Sequence, residues 1–555
     1  MRSALFAMFL PLLASAAVPA APPADLILRD GRFYPVSSPG AVEGSLAIAG
    51  GRILFLGATE AAEAYRGPST EVIELRGRAV TPGWIDAHSQ LLGLGAALSQ
   101  VDLVGTTSYE EVVQRVAAAA AEVPPGSWIR GHGWDQNDWA VQEFPRHQAL
   151  TAAVPDHPVW LARIDGHAAL LNARAMEQLG VGPASVDPPG GRIVRDEENR
   201  PTGVLVDRAR DIGSAIPDPG AAELGRRLRL AAAYCLERGL TGVTDMGLNG
   251  EQIQAYRDAL AAGELPLRAA LFLDGTDSSL LESRFAEGPW RDPSGRLSIR
   301  GVKLYADGAL GSRGAALLEP YADDPDNLGL LVTPGDELRS VTAASFRAGF
   351  QVGIHAIGDR GSLLALDAME SAFGGEPHPE ARFRLEHAQV MRPADIERMG
   401  RLGVVASVQP THATSDMPWA EKRIGARRIL GAYAWRRMID AGARLALGSD
   451  FPVERVDPLL GLYAAVTRQD LEGDPPGGWM PDQRLTREEA LAGFTLDAAW
   501  SLFLDDEVGS LEPGKRADLV VFDADPMTVD APRIPSIHVD LTLVDGAVAY
   551  SREVR

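Results

Sequence analysis

The sequence predicts an α/β protein: a (β/α)8 barrel with a small β domain built from both chain ends and a large insertion after the first barrel strand. Three observations carry this reading. Short apolar strand candidates alternate with helical stretches through the middle of the 555-residue chain. Turn-punctuated, strand-rich segments lie at both ends. Roughly 150 residues separate the first two middle strands, where neighbouring elements are usually joined by a handful.

The length suggests several domains or one large barrel with additions. A formal net charge of -22 argues against nucleic acid or an anionic membrane surface as the main partner. Residues 1 to 20 read MRSALFAMFLPLLASAAVPA. Arg2 is a short basic region, Ala4 to Val18 is apolar, and Val18-Pro19-Ala20 offers a cleavage end, the pattern of a secretory signal peptide. The run is short for a membrane span and contains Pro11, so the reading is export to the periplasm or medium, with no stable membrane insertion after cleavage. Cys235 is the single cysteine, so no internal disulfide forms and any metal site uses N and O ligands. Oligomeric state is unconstrained, and a homo-oligomer is compatible with the sequence.

In chain order, DLILRDGRFYPV, GSLAIAGGRILFLG and EVIELRGRA alternate as strands, with Asp30-Gly31 and Gly50-Gly51 as turns. ADLVVFD at 517–523 and DLTLVDGAVAY at 540–550 answer them from the far end. The domains are therefore read as 1–20 signal peptide, 21–79 plus 505–555 small β domain, 80–94 plus 239–504 barrel, and 95–238 insertion. The eight barrel strands are expected at 80–87, 241–245, 267–274, 299–306, 351–356, 382–387, 404–409 and 444–449. The insertion has a helix candidate at Tyr109 to Ala121 and strands in WIRGHGWD, PVWLARIDGH and TGVLVD. Because it leaves from an active-face strand end, it is expected over the barrel mouth.

The C-terminal strand ends carry Asp245, Asp274, Lys303, His355, His387, Gln409 and Asp450, on the edge where a barrel builds its active site. A series of satisfied loop polars explains Asp245 and Asp274 well and the full series poorly. The first strand ends in TPGWIDAHSQ, residues 81–90. Alternate strand residues share a face, so a metal site here usually reads His-x-His. This chain offers His88, Ser89 and Gln90.

These motifs, in this order, resemble the amidohydrolase superfamily, specifically its YtcJ-like or amidohydrolase-3 branch, which includes N-substituted formamide deformylase-like proteins. The likeness runs through WIRGHGWDQNDW (128–139), RIDGHAALLNARA (163–175), PTGVLVDRA (201–209), GVTDMG (242–247) and KLYADGALGSRGAAL (303–317). It continues in GIHAIGDR (353–360), RLEHAQV (384–390), SVQPTHATSD (407–416), LGSDFPV (447–453) and GSLEPGKRADLVVFD (509–523). The resemblance implies a metal-dependent hydrolase of carbon–nitrogen bonds holding one or two divalent ions, zinc first among them. His88, Lys303, His355, His387 and Asp450 match the family's ligand pattern, with Gln90 where a histidine is usual. It also implies that Lys303 is carbamylated (N6-carboxylysine) and bridges the ions.

Read as chemistry, His355 and His387 offer neutral imidazole to such an ion. Asp450 is the candidate general base that accepts a proton from water and passes it to the leaving nitrogen. His412, after the seventh strand, is placed to donate to a carbonyl or developing oxyanion. Arg163, Asp165 and His167 in the insertion are candidates to reach the substrate. Arg313, in the glycine-rich stretch 308–313, is structural or anion-binding. Trp134, Trp139 and Trp419 are candidates for an apolar pocket wall, although packing accounts for any one of them equally well.

Glutamine is a weaker zinc ligand than imidazole. A weakened two-ion site, a one-ion hydrolase and a catalytically degraded periplasmic binding protein all follow from Gln90. The first reading is an amidohydrolase acting on an amide, N-acyl or N-formyl bond of a small molecule. A metallo-esterase or lactonase using the same site is the alternative.

Overall fold

The computed structural model describes residues 22–552; the segment read as a signal peptide lies outside them. Eight parallel strands form the barrel wall: β1 Trp84–Ser89, β2 Leu240–Leu248, β3 Arg268–Asp274 and β4 Leu297–Tyr305, then β5 Gln351–Ala356, β6 Arg384–His387, β7 Val405–Val408 and β8 Leu445–Leu447. They pair in sequence order from β1 to β8. The eight expected strands are all present, with ends moved by at most four residues.

The expected first strand, 80–87, is divided by Gly83. Ala79–Pro82 belongs to the terminal sheet, where it pairs with Leu519–Phe522 and Leu26–Phe33, and only Trp84–Ser89 enters the barrel. Gly83 lies where a Cβ would fall 2.1 Å from Thr241 Oγ1. No larger residue fits where the chain crosses from one sheet to the next. The terminal sheet has eight strands, four between Leu26 and Glu74, one at Ala79–Pro82 and three from the C-terminus. It is the β domain expected from both ends.

A third sheet of six strands lies within 101–207. Its helix Tyr109–Ala120 begins at Ser108, whose side chain accepts from the Glu111 amide, the usual N-cap satisfaction of an orphan N–H. Helix Ala221–Leu236, which the sequence reading groups with the insertion, packs Leu224, Leu228 and Leu236 into the main core beside Leu91, Leu92 and Leu94. None of the described helices is long and apolar enough to cross a membrane.

Barrel and terminal sheet are joined by a buried ion cluster. Arg268, at the start of β3, donates to both oxygens of Asp518 at 2.7 Å and to Asp545 at 2.5 Å. Arg268 and Asp518 are 2% exposed. Planar guanidinium against carboxylate makes two charge-assisted bonds at once. Removing one partner of such a pair strands the other in a low-dielectric site. Arg268→Ala is therefore expected to lower unfolding free energy by about 3–5 kcal/mol in denaturant titration. A change below about 1 kcal/mol, the scale of an exposed pair, would show that the cluster does not hold the two sheets.

Candidate metal centre

The site is built where β1 meets β8. The Asp86 carboxylate accepts from the Ser449 amide at 3.1 Å, the Ser449 hydroxyl at 2.7 Å and the His88 amide at 3.1 Å. Burial pushes its pKa up to about 7, against the bonds from Ser449. Beyond it, the Asp450 amide donates to the His88 carbonyl at 2.8 Å, and the Gln90 amide to that of Phe451 at 2.9 Å. Gly448 sits so close that a Cβ would lie 2.5 Å from Asp86 Oδ1. His387 and Asp450 both adopt positive φ, 70° and 60°, unusual for residues with a Cβ and typical of backbone held in place by its surroundings.

This framework brings ligand atoms of His88, His387 and Asp450 within 4.8 Å of one another. His88 Nδ1 lies 2.6 Å from Glu386 Oε2. A carboxylate only accepts, so Nδ1 carries the proton and the Nε2 lone pair is free. That Nε2 faces Asp450 Oδ1 at 3.5 Å and Lys303 Nζ at 3.4 Å. Glu386 is itself held by Arg384 at 2.7 and 3.0 Å. Burial alone would raise its pKa, but the Arg384 charge, the bond from His88 and the Lys303 charge hold it well below the usual carboxylate range.

His387 Nδ1 is 2.8 Å from Gln409 Oε1, which leaves its Nε2 for a ligand. Burial, and then the nearby Lys303 charge, pushes the His88 pKa down; burial and His355 do the same for His387. The lowered pKa of each ring favours the neutral form, which is the one that binds a metal. Two neutral imidazoles and one carboxylate suit a divalent ion of borderline character, so the donor set fits a single ion.

His355 lies with its ring 4.6 Å from that of His387. Its Nε2 is buried with no hydrogen-bond partner, and burial lowers its pKa to about 3. Lys303 is fully buried, and that burial lowers its pKa to about 8. Gln90 Nε2 donates to Asp450 Oδ1 at 3.4 Å. His412 Nε2, also buried and unpartnered, lies 3.9 Å from Asp450 Oδ2. All seven of these side chains line one cavity of about 440 Å³, together with Met246, Tyr305 and Trp419.

The other candidates lie elsewhere. Arg163 pairs with Asp165 and Asp135 at 2.9 and 3.2 Å. His167 is exposed beside Asp207. Trp134 is buried in the insertion core, stacked near Trp139 and bonded to the Leu161 carbonyl. Arg313 pairs with Asp323 at 3.0 Å. None of these lines the cavity, and neither does any other residue of the inserted sheet. Helix Leu91–Leu98 follows β1 and precedes the insertion. Its Leu91, Leu92 and Leu94 pack into the main core beside the leucines of helix Ala221–Leu236. The wall comes instead from segments after β4, β7 and β8, including Gly311, Trp419 and Glu454. Sequence reasoning missed Glu386, Tyr305, Asp416 and Glu454. A signal existed for Glu386: RLEH places two charges at alternate positions of an apolar strand.

Barrel, terminal sheet and ligand set together define a metal-dependent hydrolase. Residues 71–550 match the amidohydrolase family (Amidohydro_3), and the chain belongs to that family. It is 36% identical over 522 residues to the protein LONG AFTER FAR-RED 3 of Arabidopsis thaliana, covering 92% of this chain and 89% of the other. It is 33% identical to the putative amidohydrolase YtcJ of Bacillus subtilis, over 88% and 92% of the two chains. The N-substituted formamide deformylase of Arthrobacter pascens is 28% identical over 95% and 98%. A solved structure of an uncharacterised metal-dependent hydrolase from Pyrococcus furiosus superposes with TM-score 0.74 at 31% identity, over 91% of this chain and 100% of that one.

If Glu386 fixes the His88 ring, Glu386→Gln is expected to weaken metal affinity about 10–100-fold in chelator competition, with the circular dichroism spectrum retained. Affinity within about twofold of the parent, less than such partners typically contribute, would remove Glu386 from that role.

Proposed function

We propose that the protein is an exported zinc amidohydrolase cleaving the amide, N-acyl or N-formyl bond of a small molecule. The observation that carries this is the meeting of His88, His387 and Asp450 at one cavity. The family match and the similarity to a formamide deformylase support the bond type. The cavity, at about 440 Å³, is within the size range of small-molecule sites.

His88, His387 and Asp450 would hold a divalent ion, which would supply Lewis-acid polarisation of the carbonyl and acidify a water. The chain's own residues do the rest. Asp450, gripped through its backbone by the β1–β8 seam, accepts the proton of the attacking water and returns it to the departing nitrogen. His412 donates from Nε2 to the oxygen that gains charge as the carbonyl carbon becomes tetrahedral. Glu386 and Gln409 hold the two imidazoles in the tautomers that present Nε2.

Lys303 is proposed to be carbamylated. Its lowered pKa leaves a substantial fraction as free amine, the form that attacks carbon dioxide, and the carbamate would exchange a buried cation for an anion. With His355, it would extend the site toward a second ion. Export is proposed from Arg2, the apolar run Ala4 to Val18 and the end at Ala20. A mature N-terminus near residue 21 in the periplasmic or secreted fraction would be its direct sign.

Purified holoenzyme is expected to hydrolyse members of a panel of N-formyl and N-acyl amines, with bound zinc detected by elemental analysis. Asp450→Asn is expected to reduce kcat by at least about 100-fold, the low end of general-base contributions. Ester and lactone turnover without amide turnover would replace this reading with the esterase one. Metal-free protein that binds ligand without turnover would leave a binding protein.

Gln90→His is expected to raise metal affinity or stoichiometry, because imidazole is the stronger ligand. Equal metal content and rate in the two proteins would show that position 90 does not limit the site.

A further inference from the structure

The cavity is charged unevenly from floor to mouth. Its floor holds Lys303, Asp450 and the histidines, all buried or nearly so. Toward the mouth, beside half-exposed Trp419 and strongly exposed Val453, stand Asp416 and Glu454. Glu454 accepts from the Ser415 hydroxyl at 2.7 Å. Asp416 accepts from the Tyr433 hydroxyl and the Gln389 amide, both at 2.6 Å. Among the described residues, neither carboxylate has a lysine or arginine partner.

Cations do stand close by, but they are spent outside the cavity. Arg313 and Arg423 both pair with Asp323. Burial raises the Asp416 pKa, against the bonds from Tyr433 and Gln389 and the nearby His412, with Glu454 adding a small push upward. Uncompensated negative charge in a partly desolvated cleft is costly and focuses an attractive field for cations. An independent feature marks the same space as a ligand site: the three metal-ligand residues and the unpartnered His412 Nε2 open onto it.

We propose that the cavity takes a substrate with a cationic group, an ammonium or guanidinium, on the mouth side of the scissile bond, selected by Glu454 and Asp416 beside the Trp419 wall. The proposal rests on the hydrolytic reading above and names its substrate class. It also disfavours substrates with a carboxylate at that end, because like charges would meet there.

The test uses holoenzyme and two probes of equal length, mono-N-acetyl-1,5-diaminopentane and N-pentylacetamide. Calorimetry at low ionic strength is expected to show the cationic probe binding about tenfold tighter. The ratio should shrink in about 0.5 M salt, where exposed charges are screened. Glu454→Gln, and separately Asp416→Asn, is expected to cut the ratio to about threefold or less. A ratio near one, no binding of the cationic probe, or a ratio that neither variant moves overturns the proposal. Charge preference without hydrolysis of any amide would leave it standing and overturn the hydrolytic reading. Hydrolysis without charge preference would do the reverse.

Discussion

The grip of the Asp86 carboxylate on Ser449 is the interaction on which the rest of the centre depends. No regular ladder joins β8 to β1. The barrel closes there through a side chain, through the Asp450 amide on the His88 carbonyl, and through the close passage of Gly448. A buried carboxylate receiving three donor groups fixes both strand ends at once. His88 hangs from one of those ends and Asp450 from the other. Their spacing is therefore set by the closure of the fold, and the positive φ of Asp450 is the local cost of turning the chain at that point.

A second constraint is charge. Four histidines, Lys303, Glu386 and Asp450 share a largely buried space at the foot of the cavity. Glu386 stays ionised because Arg384 grips it in two places, and its charge orients His88. Burial lowers the pKa of His88, His355 and His387, which favours the neutral form that serves as a ligand. Structural ion pairing and site chemistry are the same interactions here: Arg384 also bonds the Ala87 carbonyl and the Ser407 hydroxyl, so the ligand support is part of the barrel wall.

The sequence disclosed the parts of this arrangement that recur in register. The eight strands were legible from apolar runs ending in polar residues, and six ligand candidates, including Gln90, were legible because each ends a strand or follows one directly. They converge because the fold places those ends on a single rim. The substrate-facing residues were not legible in the same way. Arg163, Asp165, His167 and Trp134 carry suggestive chemistry, but a side chain's partner is decided by tertiary neighbours, and theirs are Asp135, Asp207 and Trp139. The division at Gly83 was hidden because one extended run serves two sheets, and only the proximity of Thr241 marks the border. Asp416 and Glu454 gave no periodic signal, since loops contribute them.

Gln90 acquires a physical meaning from this setting. An imidazole at that position would offer a ligand nitrogen; the amide offers a donor, and it spends that donor on Asp450 Oδ1. The same oxygen faces His88 Nε2, while Oδ2 faces His412. The carboxylate is thus faced from three sides by protein groups. The Gln90 amide orients it without adding a charge beside it, and the ligand set of His88, His387 and Asp450 is complete without a ligand at position 90.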